Sequence, residues 1–400
     1  MHHNSTESFL HYFQNKEMDE IYLGNALRSF AGSMISIFIP IYLLKLSYSF
    51  IDIMWFYLWT HLFGIGVLFV AFYLIHKIGA KHIIFFSTIF QIFYFVLLYS
   101  LESHPIPLIF IALINAISLY FFWLPFHIVF ARSSSNKESG SQLGLMTIFS
   151  SGLTIIGPLI GGLITTQFSQ GFFILFIFAS ILLIISGAVY LFSEDSKEIG
   201  RLNFKKSLSV IKEKDKIPLI GNRLRVFTLA ILWPLFMFLI LGTTVSIGAI
   251  FSGANLIMVL LTAYVGHLSD KKDKKKILRY GAIAHSGSAM FRGLANTFNL
   301  MAAFQIFGAL SSSFVNIPFR SLIYQRSKEH SISEFMFAQE FLFRIVSIIF
   351  IASLIVLASF LPVLVVISIA FVLAGIGAFM MSFLDQTDPF EKKLVQTNEN

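Results

Sequence analysis

Glu340 and Arg344 stand four residues apart inside a long apolar run, with the glutamate first. On a helix this spacing brings carboxylate and guanidinium together on one face. Two readings stay open: a buried ion pair that only fixes its helix, the commoner role, or a carboxylate that takes up and releases a proton. His61 and His285 also interrupt apolar runs, and an imidazole titrates near neutral pH. For each of them a satisfied packing role outweighs a coupling role. Arg28 and Arg320 offer a planar fork that grips carboxylate or phosphate through two bonds. Arg320 falls near the end of its run, where reaching out to the interface explains it. Arg28 lies about two turns into its run and is the more informative of the two. Asn25, Asn115, His127 and Gln305 complete the set of polar candidates. There is no Gly-x-x-x-x-Gly-Lys-Ser/Thr loop and no His-Glu-x-x-His, so no catalytic residue, metal or cofactor is expected.

These residues matter because of what surrounds them. The chain has 400 residues, 56% hydrophobic and only 12% charged, with mean hydropathy +0.79. A soluble domain carries about 25% charged residues. No water-soluble globule could cover that much apolar surface, so an integral membrane protein is expected, and each polar group inside a span carries a cost. A nucleic-acid partner is excluded despite a net charge of +8. A disulfide scaffold is excluded because there is no cysteine.

About 20 apolar residues cross a bilayer. The runs predict twelve spans near 21–45, 51–75, 83–101, 107–131, 142–166, 171–192, 226–248, 250–266, 277–296, 299–324, 334–359 and 361–384. The weakest cut lies between the seventh and eighth, where Gly248, Gly253 and Asn255 would have to hold a turn. The ninth is weakened by Gly, Ser, His285 and Arg292. With both termini cytoplasmic, 24 of the 29 Lys and Arg fall on the inside, which is a strong orientation signal. The basic character, pI about 9.4, is therefore mainly a topology code, with attraction to anionic lipid second. Met1–Glu20 is polar and ends in Glu17-Met18-Asp19-Glu20, so no cleavable signal peptide is expected. Ser193–Arg225 is the longest polar stretch. Within it, Phe204, Leu208, Val210 and Ile211 suggest one face of a short surface helix.

Two matches suggest an internal repeat. Tyr73-Leu74-Ile75-His76-Lys77-Ile78-Gly79-Ala80-Lys81 aligns with His267-Leu268-Ser269-Asp270-Lys271-Lys272-Asp273-Lys274-Lys275 at an offset of 194. Leu124-Pro125-Phe126-His127 aligns with Ile317-Pro318-Phe319-Arg320 at an offset of 193. The loop Gly266-His267-Leu268-Ser269-Asp270-Lys271-Lys272-Asp273-Lys274-Lys275-Lys276-Ile277-Leu278 resembles the signature loop of the major facilitator superfamily, Gly-x-Leu-x-Asp-Arg/Lys-x-Gly-Arg/Lys-Arg/Lys-x-x-Leu. Gly266, Leu268, Asp270, Lys271, Lys274, Lys275 and Leu278 match, and Asp273 replaces the second glycine. The first copy keeps Leu74, Lys77, Gly79 and Lys81 but has His76 in the aspartate place. The resemblance covers the whole chain. It implies an all-α membrane protein of twelve transmembrane helices in two pseudo-symmetric six-helix bundles, 1–192 and 226–400, joined by a cytoplasmic linker 193–225. Glycine at 266 would let two helices approach closely. Asp270 would cap a helix end or pair across the bundle interface, favouring one conformational state. With histidine at 76, the matching first-half latch is absent or pH-dependent.

The fifth span holds Gly157-Pro158-Leu159-Ile160-Gly161-Gly162, similar to a fifth-span motif of many exporters in that superfamily. Pro158 would bend the helix, and Gly157 and Gly161 would form a small-residue packing face. Ordinary packing explains the same glycines equally well. Trp55, Trp59, Trp123 and Trp233 could line a pocket for a lipophilic molecule, although lipid-facing bulk is the commoner role. The resemblance implies a secondary transporter in the cell (inner) membrane, multi-pass, working as a monomer by alternating access. The leading expectation is proton-coupled export, as an antiporter, of a small organic or amphipathic molecule. The alternative within the fold is an importer or exchanger of an organic anion through Arg28. The alternative outside it is a non-transporting receptor, lipid scramblase or membrane transferase, against which the short outward loops weigh.

Overall fold

The computed structural model describes residues 16–134, 139–192 and 204–384, and every described element is helical. We number the long helices α1 (Asp19–Lys45), α2 (Phe50–Ile78), α3 (Ala80–Ser100), α4 (Leu108–Ser133), α5 (Ser141–Gln167), α6 (Gly171–Leu191), α7 (Glu213–Leu241), α8 (Thr244–Lys271), α9 (Lys274–Met290), α10 (Phe298–Lys328), α11 (Ile332–Ala358) and α12 (Val363–Phe383). Eleven of them are long and apolar enough to cross a membrane. The exception is α9, the polar ninth run, which has 17 residues and continues into a 3-10 turn Phe291–Leu294. The fold is thus all-α and multi-spanning. The expected N-terminal segment up to residue 15, the linker part 193–203 and the tail from 385 lie outside the described residues.

Two boundaries differ from the sequence reading. The expected linker 193–225 and seventh span 226–248 give way to a helix that begins at Glu213 and ends at Leu241. Its first turn carries Glu213 and Asp215, acids that favour a helix N-terminus. Pro218 is buried within it. Arg223 and Arg225, counted among the 24 inside charges, therefore lie inside α7, about 15 Å from its start at 1.5 Å per residue. Secondly, α7 does not turn into α8 at Gly248. It stops at Gly242, whose φ of 71 is left-handed and whose N–H reaches Phe238 O, a glycine C-cap. Near the middle of α7, the π-helical turn Thr228–Leu232 precedes Pro234, which has no N–H to give to the ladder.

The helix Phe204–Val210 is present. Phe204 packs edge-on against Phe341 of α11 at 5.5 Å and lies 5.6 Å from Phe69 of α2. Val210 is buried at the end of this helix, Ile211 is buried just beyond it, and the Leu208 side chain lies outside those described.

The offsets of the motif matches recur in two side-chain contacts. In α4, Ser118 donates to Gln91 of α3 at 3.1 Å. In α10, Ser311 meets His285 of α9 at 2.9 Å. The serines are 193 residues apart and their partners 194 apart, the two offsets of the motif matches. Pro125 and Pro318 sit inside α4 and α10, both buried.

Candidate functional site

A polar chain crosses the middle of the molecule. On α7, Arg223 donates from Nη2 to His61 of α2 at 3.0 Å and from Nε to Ser347 of α11 at 2.5 Å. The other His61 nitrogen, Nδ1, lies 2.8 Å from the Tyr120 hydroxyl of α4. A guanidinium only donates, so His61 accepts at Nε2 and carries its proton at Nδ1, toward Tyr120. The guanidinium of Arg344 covers the Tyr120 ring at 4.2 Å, a cation–π contact. Arg344 also donates to Glu340 at 2.9 Å, the pair that the i,i+4 spacing predicts. Glu340 Oε1 is 3.8 Å from His127 Nε2 of α4, and His127 Nδ1 is 2.7 Å from the Tyr324 hydroxyl of α10. The chain thus links α2 and α4 to α7, α10 and α11. It holds two arginines and one carboxylate, and burial makes the excess cation costly.

A second group is built on α7 two residues further on, which is about 200° around the helix. Arg225 donates to Asn316 Oδ1 at 2.6 Å and Asn222 Oδ1 at 2.9 Å, and its Nη1 lies 3.4 Å from His285 Nε2. Every one of these partners is neutral. Arg292, expected on the outside, is buried: it stacks over Trp233 at 4.5 Å and reaches the Phe304 carbonyl at 3.5 Å. Trp233 in turn donates to Gln305 at 2.9 Å.

A cavity of about 240 Å³ is walled by α1, α4, α5, α8 and α10, and Asn316 of the second group lines it. Asn25, Trp123, Ser150, Thr262, Asn316 and Arg320 are among its lining, and none of the lining residues is acidic. Asn25 donates to Ser150 across α1 and α5 at 2.6 Å. Arg320 is exposed although it lies within α10, and it lines this cavity beside Tyr324, to which its side chain is hydrogen-bonded. Among the described residues no carboxylate pairs with it.

This reverses the expectation for the two arginines. Arg28 points away from the cavity, stacks on Phe122 of α4 at 3.9 Å and donates to Ser87 of α3 at 3.4 Å. Its neighbours Asn25 and Ser29 take the cavity face of α1. Arg320 faces the cavity instead of the interface. Asn115 is a packing contact, donating to Thr60 at 3.5 Å. Trp55 and Trp59 stack on each other at 5.9 Å, with Trp55 exposed at the protein surface. Arg223 and Arg225 are the site residues that sequence reading missed.

The loops at one end of the helices turn in different ways at matched positions. Gly79, between α2 and α3, has φ 90 and ψ 159, a conformation open essentially to glycine. Its counterpart Asp273 caps α9, accepting from Lys275 N at 2.9 Å and Lys276 N at 3.4 Å. The departure from the signature glycine therefore has a physical role. The Asp270 side chain, expected to cap a helix end or pair across the bundle interface, lies outside those described. His76 Nδ1 lies 3.0 Å from Phe72 O on its own helix. Lys77 follows it in the last turn of α2, Lys271 ends α8, and Lys274 donates to Ser321 at 2.9 Å. A Cβ on Gly144 of α5 would lie 3.3 Å from Gly266 Cα, so glycine at 266 meets glycine across α5 and α8. Near this end, Lys328 of α10 donates to Ser134 O beyond α4, and Arg326 pairs with Asp215.

Helix α5 is broken between Thr154 and Gly157, as Pro158 predicts. Proline gives no N–H to the Thr154 carbonyl four residues back. Asn255 of α8 donates to that carbonyl at 3.2 Å, and Leu159 N donates to Ser252 at 3.0 Å. So Asn255 mends a neighbouring helix rather than making a turn. Gly157 and Gly161 lie against Ser33 and Met34 of α1, while Gly162 meets Thr244 and Val245 of α8.

Many apolar helices of spanning length, with buried arginines among them and an arginine on the wall of a cavity, fit a membrane transporter. The sequence profile of the Major Facilitator Superfamily matches residues 21–351, and the chain belongs to that family. It is therefore a secondary transporter of the alternating-access kind, not an enzyme. The chain is 22% identical over 306 residues to the uncharacterized protein YqgE of Bacillus subtilis (strain 168), covering 74% of this chain and 71% of that one. Its fold is similar to the human organic anion transporter MFSD10 (TETRAN), with TM-score 0.65 and 11% identity over 92% of this chain and 99% of that one. It is similar also to the Escherichia coli fucose:proton symporter FucP, with TM-score 0.63 and 13% identity over 92% and 98%. At such identities the two structures speak for the fold alone.

Proposed function

We propose that the protein imports or exchanges a small organic anion, bound in the central cavity with Arg320 as its primary contact. One observation carries this reading: Arg320 lines a cavity with no acidic lining residue, and among the described residues no carboxylate pairs with it. A cation on the wall of a cavity that is partly shielded from bulk water attracts an anion more strongly than it would in open water. Arginine also grips carboxylates with two parallel bonds. The two polar groups described above hold Arg223, Arg225, Arg292 and Arg344, with Glu340 their one acid among the described residues. A fold neighbour named as an organic anion transporter is in keeping with this. The lean toward export rested on Gly157–Gly162, and contact with α1 and α8 accounts for those glycines as packing.

In this reading α9 with Phe291–Leu294 completes the twelfth span. The chain then forms two six-helix bundles joined through residues 193–212, with both termini cytoplasmic. Removing Arg223 and Arg225 from the inside count leaves 22 of 29 basic residues there, still a strong asymmetry. The test is uptake of labelled carboxylates into proteoliposomes by the wild type and by Arg320→Gln. A fall of tenfold or more with unchanged thermal stability is expected. Wild-type uptake by Arg320→Gln would overturn the reading. Proton coupling is a second reading, favoured by Glu340 as the one acid at the heart of the polar chain.

A further inference from the structure

We infer that the cavity selects a small dianion, with Arg225 as its second cation and Asn316 as the residue that sets this charge preference. This rests on the anion reading above and adds the charge of the substrate.

Ser313, Asn316 and Arg320 follow one another at i, i+3 and i+7 on α10, so they share a face, and all three line the cavity. Because Arg225 can only donate, Asn316 turns its carbonyl to Arg225 at 2.6 Å. Its amide N–H groups are then left for the cavity. The Ser313 hydroxyl is buried and has no partner among the described residues. The wall therefore presents donors along its length: a hydroxyl, an amide and a guanidinium. Arg225 is 5% exposed, and its Nε also has no partner. Its partners among the described residues, Asn316, Asn222 and His285, are neutral, so no described carboxylate offsets its charge, which bears on the cavity through a single amide.

Two guanidinium charges thus bear on a space with no acidic lining residue. A monoanion held by Arg320 leaves the charge of Arg225 unbalanced. A dianion balances both, with one anionic group on Arg320 and the other on the Asn316 amide and Ser313 hydroxyl. The volume of 240 Å³ is below the range of about 300–1,000 Å³ for drug-sized ligands, so the dianion is small.

The test compares butyrate with succinate, and hexanoate with adipate, by thermal stabilisation of the full-length purified protein at pH 7.5. A ligand that binds only the folded state raises its apparent stability. In the wild type each dicarboxylate should bind at least tenfold tighter than the monocarboxylate of equal length. Asn316→Asp keeps an acceptor on Arg225 but neutralises it, and should bring that ratio close to one. Asn316→Ser leaves the cation in place and should keep the preference, which guards against a general loss of folding. Equal binding of the two classes by the wild type overturns the inference, as does a preference that survives in Asn316→Asp. Monocarboxylate binding that Arg320→Gln abolishes would leave the anion reading standing while the dianion fails. No stabilisation by any of the four acids would sink both.

Discussion

Arg223 of α7 donates to His61 Nε2 of α2 at 3.0 Å, while Arg225, two residues on, turns its guanidinium toward His285 of α9. One helix thus places one arginine on each of two histidines, and each histidine passes a hydrogen bond to a hydroxyl, on Tyr120 or on Ser311. The first arginine joins the early helices to the late ones. The second stays among the late helices and stands behind the cavity wall.

Removing the acceptor at 61 should leave Arg223 buried with an unused donor. Hydrogen bonds to charged groups contribute about 1.5–3 kcal/mol. We expect His61→Ala to lose stability on that scale in detergent. His61→Gln, whose amide oxygen can accept, should recover most of it. Equal losses in the two variants would mean that imidazole packing, not acceptance, is what matters at this position.

Glu340 is bonded to Arg344 and stands 3.8 Å from His127. Breaking a buried pair from one side costs about 3–5 kcal/mol, because a bare charge is left behind. Glu340→Gln should therefore lower thermal stability by that order, and Glu340→Gln with Arg344→Gln should regain much of it. The double variant also separates the two roles open to the glutamate. If Glu340 carries a proton, the double variant should retain substrate counterflow yet lose uptake driven by a pH gradient. Recovery of gradient-driven uptake would make the pair structural only.

The long apolar runs were legible because a bilayer demands about 20 such residues in a row. The Glu340–Arg344 pair was legible because helical spacing fixes it. Arg223 and Arg225 were not. They follow Glu213-Lys214-Asp215-Lys216 and Pro218, so the start of α7 reads as a polar linker. The acids at 213 and 215, ahead of an apolar run, were the available sign of a helix start. Arg28 and Arg320 show a different limit. Both are arginines on spanning helices, and which face of a helix meets the cavity is decided by its neighbours. For α1 the cavity face is Asn25 and Ser29, and for α10 it is Asn316 and Arg320.

Gly79 and Asp273, 194 residues apart, hold the same place in the two loop motifs by opposite means. Gly79 relies on a φ of 90 and ψ of 159, a region that costs a residue with a side chain about 1–3 kcal/mol. Asp273 relies on its carboxylate as a cap, whose loss costs about 0.5–2 kcal/mol. Gly79→Ala should therefore destabilise more than Asp273→Gly, which restores the signature glycine at a position glycine caps tolerably. Denaturation midpoints of the two variants check the order, and the reverse order would mean that Asp273 does more than cap α9.

The α5–α8 seam gives a prediction with internal controls. Gly152, Gly162, Gly248 and Gly253 on these helices look alike in the sequence, yet their surroundings differ. A Cβ on Gly162 would lie 2.6 Å from Thr244 O, and one on Gly248 would lie 2.2 Å from Pro158 O. Both obstacles are backbone, which cannot swing aside. Nothing lies within 4 Å of a Cβ at Gly152 or Gly253. Gly162→Ala should force the helices apart, with an overpacking cost of about 1–3 kcal/mol. It should also draw Asn255 and Ser252 away from the broken turn of α5, which they now satisfy at 3.2 and 3.0 Å. Gly152→Ala and Gly253→Ala should instead be neutral or stabilising, because alanine suits a helix better than glycine by about 0.5–1 kcal/mol. Thermal stability and proteoliposome uptake, measured on all three, should separate the first variant from the other two. Uniform behaviour would mean that the close approach of α5 and α8 is not what these glycines are for.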